Sequence, residues 1–241
     1  MLAVLSVELR KLNRSSAAVL ALAGPSLIAF LTFFIVLHAR RGTSWDMALQ
    51  NATGTWAIFL LPMSVTALTA LVAQMEHGPR AWDHLRSLPV PRWRIYAAKA
   101  ICVVALIVAM TGLNLLLAWG SVSAVGAVKP AAAATGALDL SRMLLLNAKV
   151  VAAATLLIAI QLWTALRFSN FVPALALGIG GTFFSVMAAS AKAGVFIPWL
   201  MPINMMAKDA WRVETALALG GGLGLIALVV VVAHLARREV L

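Results

Sequence analysis

Long uncharged apolar stretches alternate along this chain with short charged ones. A hydrocarbon core of about 30 Å is crossed by about 20 helical residues at ~1.5 Å rise each. Six stretches reach that length, at approximately residues 17–37, 55–75, 100–120, 143–166, 168–191 and 215–236. The fourth is interrupted only by Lys149, near one end. A shorter apolar segment, Ala193–Ala207, holds Pro198 and Pro202 and is too broken to span. Strand-like alternation is absent, which argues against a transmembrane barrel. The pattern predicts an all-α integral membrane protein with six transmembrane helices in a single domain over residues 1–241. Ala21-Leu22-Ala23 resembles a signal-peptide cleavage site, but the apolar run continues well past it, so the first stretch reads as a true span. Gly24-Pro25 and Pro62 are expected to kink the first two spans, because each proline removes a backbone hydrogen bond.

Composition agrees. The chain is 63% apolar and 11% charged, against about 45–50% and roughly 25% in soluble domains. So few charges could not cover a soluble surface, and so much apolar material excludes disorder. The single cysteine, Cys102, permits no internal disulfide. The formal net charge of +11 would suggest nucleic acid in a soluble protein, but the bases cluster at the edges of apolar runs, as in membrane proteins. With six spans, one side carries Arg10, Lys11, Arg14, Arg80, Arg86, Arg92, Arg94, Lys99, Arg167, Arg237 and Arg238, eleven bases. The other carries seven: Arg40, Arg41, Lys129, Arg142, Lys192, Lys208 and Arg212. This bias places both termini in the cytoplasm.

Two segments outside the spans carry helical patterns. Leu2, Leu5, Leu9 and Leu12 fall on one face of an N-terminal helix, with Glu8, Arg10, Lys11 and Arg14 on the rest. Such a helix suits the interface, its leucines in the acyl boundary and its bases near anionic head groups. Between spans two and three, Gly78 ends one helix and Pro79 suits the first position of another. Trp82, Leu85 and Leu88 recur at three-residue spacing until Pro89 and Pro91 stop the helix. This short amphipathic cytoplasmic helix, held between rigid breaks, suits the transmission of movement from a soluble partner.

Catalytic patterns are lacking. There is no Gly-x-x-x-x-Gly-Lys-Ser/Thr motif and no His-Glu-x-x-His. His38, His77, His84 and His234 lie near helix ends without metal-ligand spacing. No acid sits at a span centre, unlike ion-coupled transporters. Lys149 can snorkel outward, while Asn114 and Gln161 read as polar groups bonding neighbouring helices. Gly220 and Gly224 form a small-x-x-x-small pair in the last span, extended by Ala216, that lets two helix backbones approach.

The order Glu76, Gly78, a short helix, Leu88-Pro89-Val90, then Arg92, Ile95, Ala98 and Lys99 resembles the cytoplasmic segment of type-2 ABC exporter permeases. Glu8-Leu9-Arg10-Lys11-Leu12 with Arg14-Ser15, and Pro198-Trp199-Leu200-Met201-Pro202, resemble the bacitracin- and lantibiotic-transport branch. Pro91 departs from the small polar residue more usual before Arg92, which implies a stiffer turn. The resemblance implies a coupling helix docking on an ABC ATPase through Trp82, Leu85 and Leu88, with Glu76 and Arg92 bracing the loop. It implies a paired second permease chain, identical or related, and a Val195–Met206 hairpin closing the substrate path. This chain would hold no cofactor; ATP and Mg would belong to the partner. The implied setting is the bacterial inner membrane and the implied activity export of a hydrophobic or amphipathic cargo, such as a peptide antibiotic, a drug or a lipid, with antibiotic resistance as one outcome. A stand-alone channel or assembly factor without an ATPase is the alternative.

Overall fold

The computed structural model describes residues 1–13, 15–39, 42–77 and 90–237. Eleven α-helices are assigned among them: α1 Leu2–Asn13, α2 Ser16–Leu37, α3 Trp45–Thr55, α4 Leu61–His77, α5 Arg92–Val128, α6 Leu140–Ala153, α7 Thr155–Arg167, α8 Val172–Ala188, α9 Met201–Asn204, α10 Ala210–Leu217 and α11 Gly224–Arg237. No β-strand occurs among the described residues; Ser44 and Thr135 form one isolated bridge.

Among the described residues, five helical runs are long and apolar enough to cross a membrane: Ser16–Leu37, Trp45–Glu76, Arg92–Val128, Leu140–Arg167 and Ala210–Arg237. The fifth expected span, 168–191, is helical only over Val172–Ala188, a shorter apolar helix. Phe168 is extended at the end of α7, Pro173 starts α8 within its first turn, and α8 stops at Ala188. The third span begins earlier than its apolar run suggests. Pro91 sits outside the helix and α5 starts at Arg92, so Arg92, Arg94 and Lys99 are helical rather than in a loop.

The spans are not uniform helices. Trp56–Leu60 forms a π-helical turn between α3 and α4, in which the Leu61 N–H donates to the Trp56 carbonyl. Pro62 follows directly and has no N–H to give, so the wider turn absorbs the missing bond. Pro25 lies inside α2 without ending it. The fourth span is locally distorted at Ala154, between α6 and α7, where the Ala154 N–H reaches both the Val150 and the Val151 carbonyls at 3.1 Å. Ala218–Leu223 forms a second π-helical turn, across the glycine run, between α10 and α11.

The core is built around the first π turn, α4, α5 and α7, where Trp56, Leu61, Leu68, Ile107, Met110, Leu157 and Ile158 are fully buried. The Trp56 indole N–H donates to the Thr111 hydroxyl at 3.1 Å, tying the π turn to α5. Gln161, with its amide turned toward α8, donates to the Ala174 carbonyl at 3.2 Å and accepts from the Gly178 N–H at 3.1 Å. Asn114 departs from its expected role: it is fully buried, and neither of its amide atoms has a partner. Outward-facing positions are large and apolar, including Phe30 and Ile35 on α2, Phe184 and Met187 on α8 and Ile226 and Val229 on α11. A soluble monomer rarely exposes so much apolar surface, whereas a bilayer requires it.

Candidate functional site

The two ends of the bundle differ. At one end, loops are tied by the Thr135 N–H donating to the Thr43 carbonyl at 3.0 Å, by an Arg142–Asp46 ion pair at 2.9 Å and by the Arg212 Nε–H donating to Asn204 at 3.0 Å. Asp139 caps α6 there, accepting from the Arg142 N–H at 3.0 Å and the Ser141 hydroxyl at 2.7 Å, and those bonds hold its carboxyl below the usual range. Beside these loops the Pro-rich segment folds inward: Leu200, Met201 and Met205 are buried, and the Trp199 ring lies where a Cβ on Gly181 would go.

The opposite end holds a cluster of four charges. Lys99, on α5, is completely buried, and its Nζ donates to Glu8 Oε2 and to Glu76 Oε1, each at 2.8 Å. Lys11 donates to the same Glu76 Oε1 at 2.9 Å and to Glu8 Oε1 at 3.1 Å. Two carboxylates and two ammonium groups thus clasp α1, the end of α4 and the start of α5. Apolar neighbours seal the site: Leu12, Tyr96 and Cys102 are all buried. Glu76 lies in the last turn of α4, where a carboxylate opposes the helix dipole, so two lysines at this spot offset both its burial and its position. Burial works against the charge of Lys11, but its bonds to Glu76 and Glu8 outweigh this and hold its pKa above the ordinary lysine value.

Several sequence expectations change here. Glu8 does not sit on the solvated face of α1; it is buried with Leu12, while Leu9 is exposed. Lys99 is not a solvated topogenic base but the centre of the clasp. Glu76 meets Lys11 and Lys99, and Arg92 is an exposed residue at the first position of α5. Trp82, Leu85 and Leu88 lie outside the described residues. Glu8, Lys11 and Lys99 escaped the site assignment because their partners are distant in sequence, Glu8 and Lys99 being 91 residues apart. A lysine followed by an unbroken apolar run was the available signal.

Gly220 and Gly224 meet the distorted fourth span. A Cβ on Gly220 would collide with the Ala153 backbone, and one on Gly224 would approach the Thr155 carbonyl carbon to 2.9 Å. The glycines therefore put the π turn of the last span directly against the Ala154 distortion. Among the described residues no three His, Cys, Asp or Glu side chains converge as metal ligands.

No curated protein and no solved structure matches this chain. Residues 4–185 match the family described as ABC-2 family transporter protein, a stretch that takes in the clasp and the first four of the long apolar runs. A multi-pass helical membrane protein with that match over most of its length belongs to the ABC-2 transporter family, whose members are membrane permease components that in general pair with one another and with an ABC ATPase.

Proposed function

We propose that this chain is the non-catalytic permease subunit of an ABC exporter, working as one domain over residues 1–241 and powered by ATP and Mg held on a separate ATPase. The cargo is hydrophobic or amphipathic, in the class of peptide antibiotics, drugs and lipids. The setting is a bacterial inner membrane with both termini cytoplasmic, and a second permease chain completes the path. The exporter branch that handles bacitracin and lantibiotics is the closest fit to the entry-helix and Pro-rich motifs.

The observation that carries this reading is the position of the clasp. Glu76 closes the helix that leads into segment 78–89, Lys99 lies about two turns inside the helix that leaves it, and the two are bonded to each other at 2.8 Å and to α1. Force applied to that segment by a soluble partner enters both spans together. Trp82, Leu85 and Leu88 are the contacts for the partner, Arg92 braces the returning chain, and Glu76 passes the displacement to α1. The Gly220–Gly224 face against Ala153 and Thr155 is where the last span slides during alternating access.

Six crossings fit the layout. α8 starts beside Phe171, which lines one groove with Ser16 and Gln74 at the clasp end, and it runs toward Lys192 and the Pro-rich segment. The positive-inside bias then puts the clasp in the cytoplasmic leaflet. The test is co-purification of the native complex. Wild type is expected to retain an ABC ATPase stoichiometrically, and Trp82→Asp with Leu85→Asp to lose it while still inserting. Normal assembly and transport by that double variant would refute the coupling assignment.

A further inference from the structure

An open groove of about 620 Å³ runs along the outside of the bundle between α5 and α11. Ala97, Ala100 and Ala233 line it with small side chains, and Ile101, Val104 and Val229 add branched ones. Trp93 and Ala233 mark its end on the clasp side, because the two helices run antiparallel. That end is positively charged. Arg94 stacks 5.6 Å from the Trp93 ring centroid and stands three residues before Ala97, on the stripe that faces the groove. Arg237 is one turn beyond Ala233 on α11. Both arginines are exposed. The other end, near Ala105 and Leu228, lies among uncharged residues.

We propose that this groove seats an anionic phospholipid of the clasp-side leaflet, its phosphate between Arg94 and Arg237 and an acyl chain along the alanines. The charge asymmetry selects this occupant. Guanidinium groups bind phosphate with paired N–H donors, a tryptophan at the same level marks the head-group layer, and basic pockets between helices on the cytoplasmic side are suited to anionic head groups. A second copy of this chain fits poorly. A two-fold contact places the same patch on both partners, which would bring Arg94 and Arg237 against their own mates.

The full chain, extracted in mild detergent and stripped of lipid, is offered phosphatidylglycerol or phosphatidylcholine, and retained lipid is read by native mass spectrometry. Selective retention of phosphatidylglycerol is expected, falling about fivefold for each of Arg94→Ala and Arg237→Ala. Retention should stay above that of the alanine variants, but below wild type, in the Arg94→Lys/Arg237→Lys variant, which keeps the charge and loses the paired donors, and should vanish when Ala97→Trp fills the groove. Equal retention of both lipids, or indifference to the alanine variants, overturns the proposal. So does an efficient disulfide-linked dimer from Val229→Cys in a Cys102→Ser background, which would make the groove an interface between copies. ATPase co-purification, followed in parallel, reports separately on the permease reading.

Discussion

Lys99 shows how one residue can decide a local structure. An ammonium group without solvent contact costs several kcal/mol to bury and persists only where opposite charges and hydrogen bonds surround it. Glu8 and Glu76 supply these, and Lys11 balances the second carboxylate. Replacing Lys99 with Met should therefore leave Glu8 and Glu76 sharing Lys11 alone, stranding one net buried negative charge and lowering stability by about 3–5 kcal/mol, visible as a lower thermal midpoint in detergent. Adding Glu76→Gln to Lys99→Met should recover part of that loss, because it removes one stranded charge. Additive losses would mean the two groups do not interact. The Lys11 contribution has a defined pH window. A raised lysine pKa stabilises the fold fully below its unfolded value, near 10.5, and the effect disappears as pH rises through the folded value. Thermal midpoints of wild type and Lys11→Met should thus differ by a constant amount from neutral pH to about 10 and converge above it. Apolar periodicity could locate α1 but not orient it, since the pattern separates oily from charged positions and treats every charge as seeking water. Glu8 seeks a lysine instead.

At the scale of elements, the irregularities in the spans sit where they are needed for packing. The π turn at Trp56–Leu60 precedes Pro62, and the distortion at Ala154 meets the π turn at Ala218–Leu223 through Gly220. Proline and glycine positions in the sequence marked two of these places; the Ala154 distortion carries no comparable signal, because alanine is the best helix former. The start of α5 was hidden for a related reason. Arg92, Arg94 and Lys99 look like loop residues until Glu8 and Glu76 neutralise the deepest of them. Two glycine substitutions separate helix propensity from close approach. Gly112 has no atom within 4 Å of where a Cβ would stand, so Gly112→Ala should stabilise α5 by up to ~1 kcal/mol. Gly220→Ala adds the same methyl in the π turn but drives it into the Ala153 backbone, so it should destabilise by about 1–3 kcal/mol, the usual cost of overpacking. Equal effects on the thermal midpoint would show that α10–α11 does not press on the fourth span.

For the whole molecule, the number of crossings turns on α8. Its 17 residues make about 26 Å of helix at ~1.5 Å per residue, short of a ~30 Å hydrocarbon core. A short span is accommodated by local thinning or by flanking residues at a modest cost, and α8 is braced on its inner face: Ala174, Gly178, Thr182 and Ser185 are buried against the bundle. Thr182 and Ser185 return their hydroxyls to the Gly178 and Gly181 carbonyls at 2.7 Å, leaving no free donor for the lipid. Its other face exposes Phe183, Phe184 and Met187, side chains that only an acyl environment or an apolar partner would cover. These features suit the crossing that six spans would require better than a helix lying on the surface, where one long face would carry charge. If α8 crosses, its two ends must lie on opposite sides. Asn170 and Ala191 are exposed just beyond those ends, and the native Cys102 is buried. Asn170→Cys should then react with a membrane-impermeant maleimide only when the cytoplasmic side is opened, and Ala191→Cys in intact cells. Labelling of both from one side would reduce the crossings to five and put the termini on opposite faces.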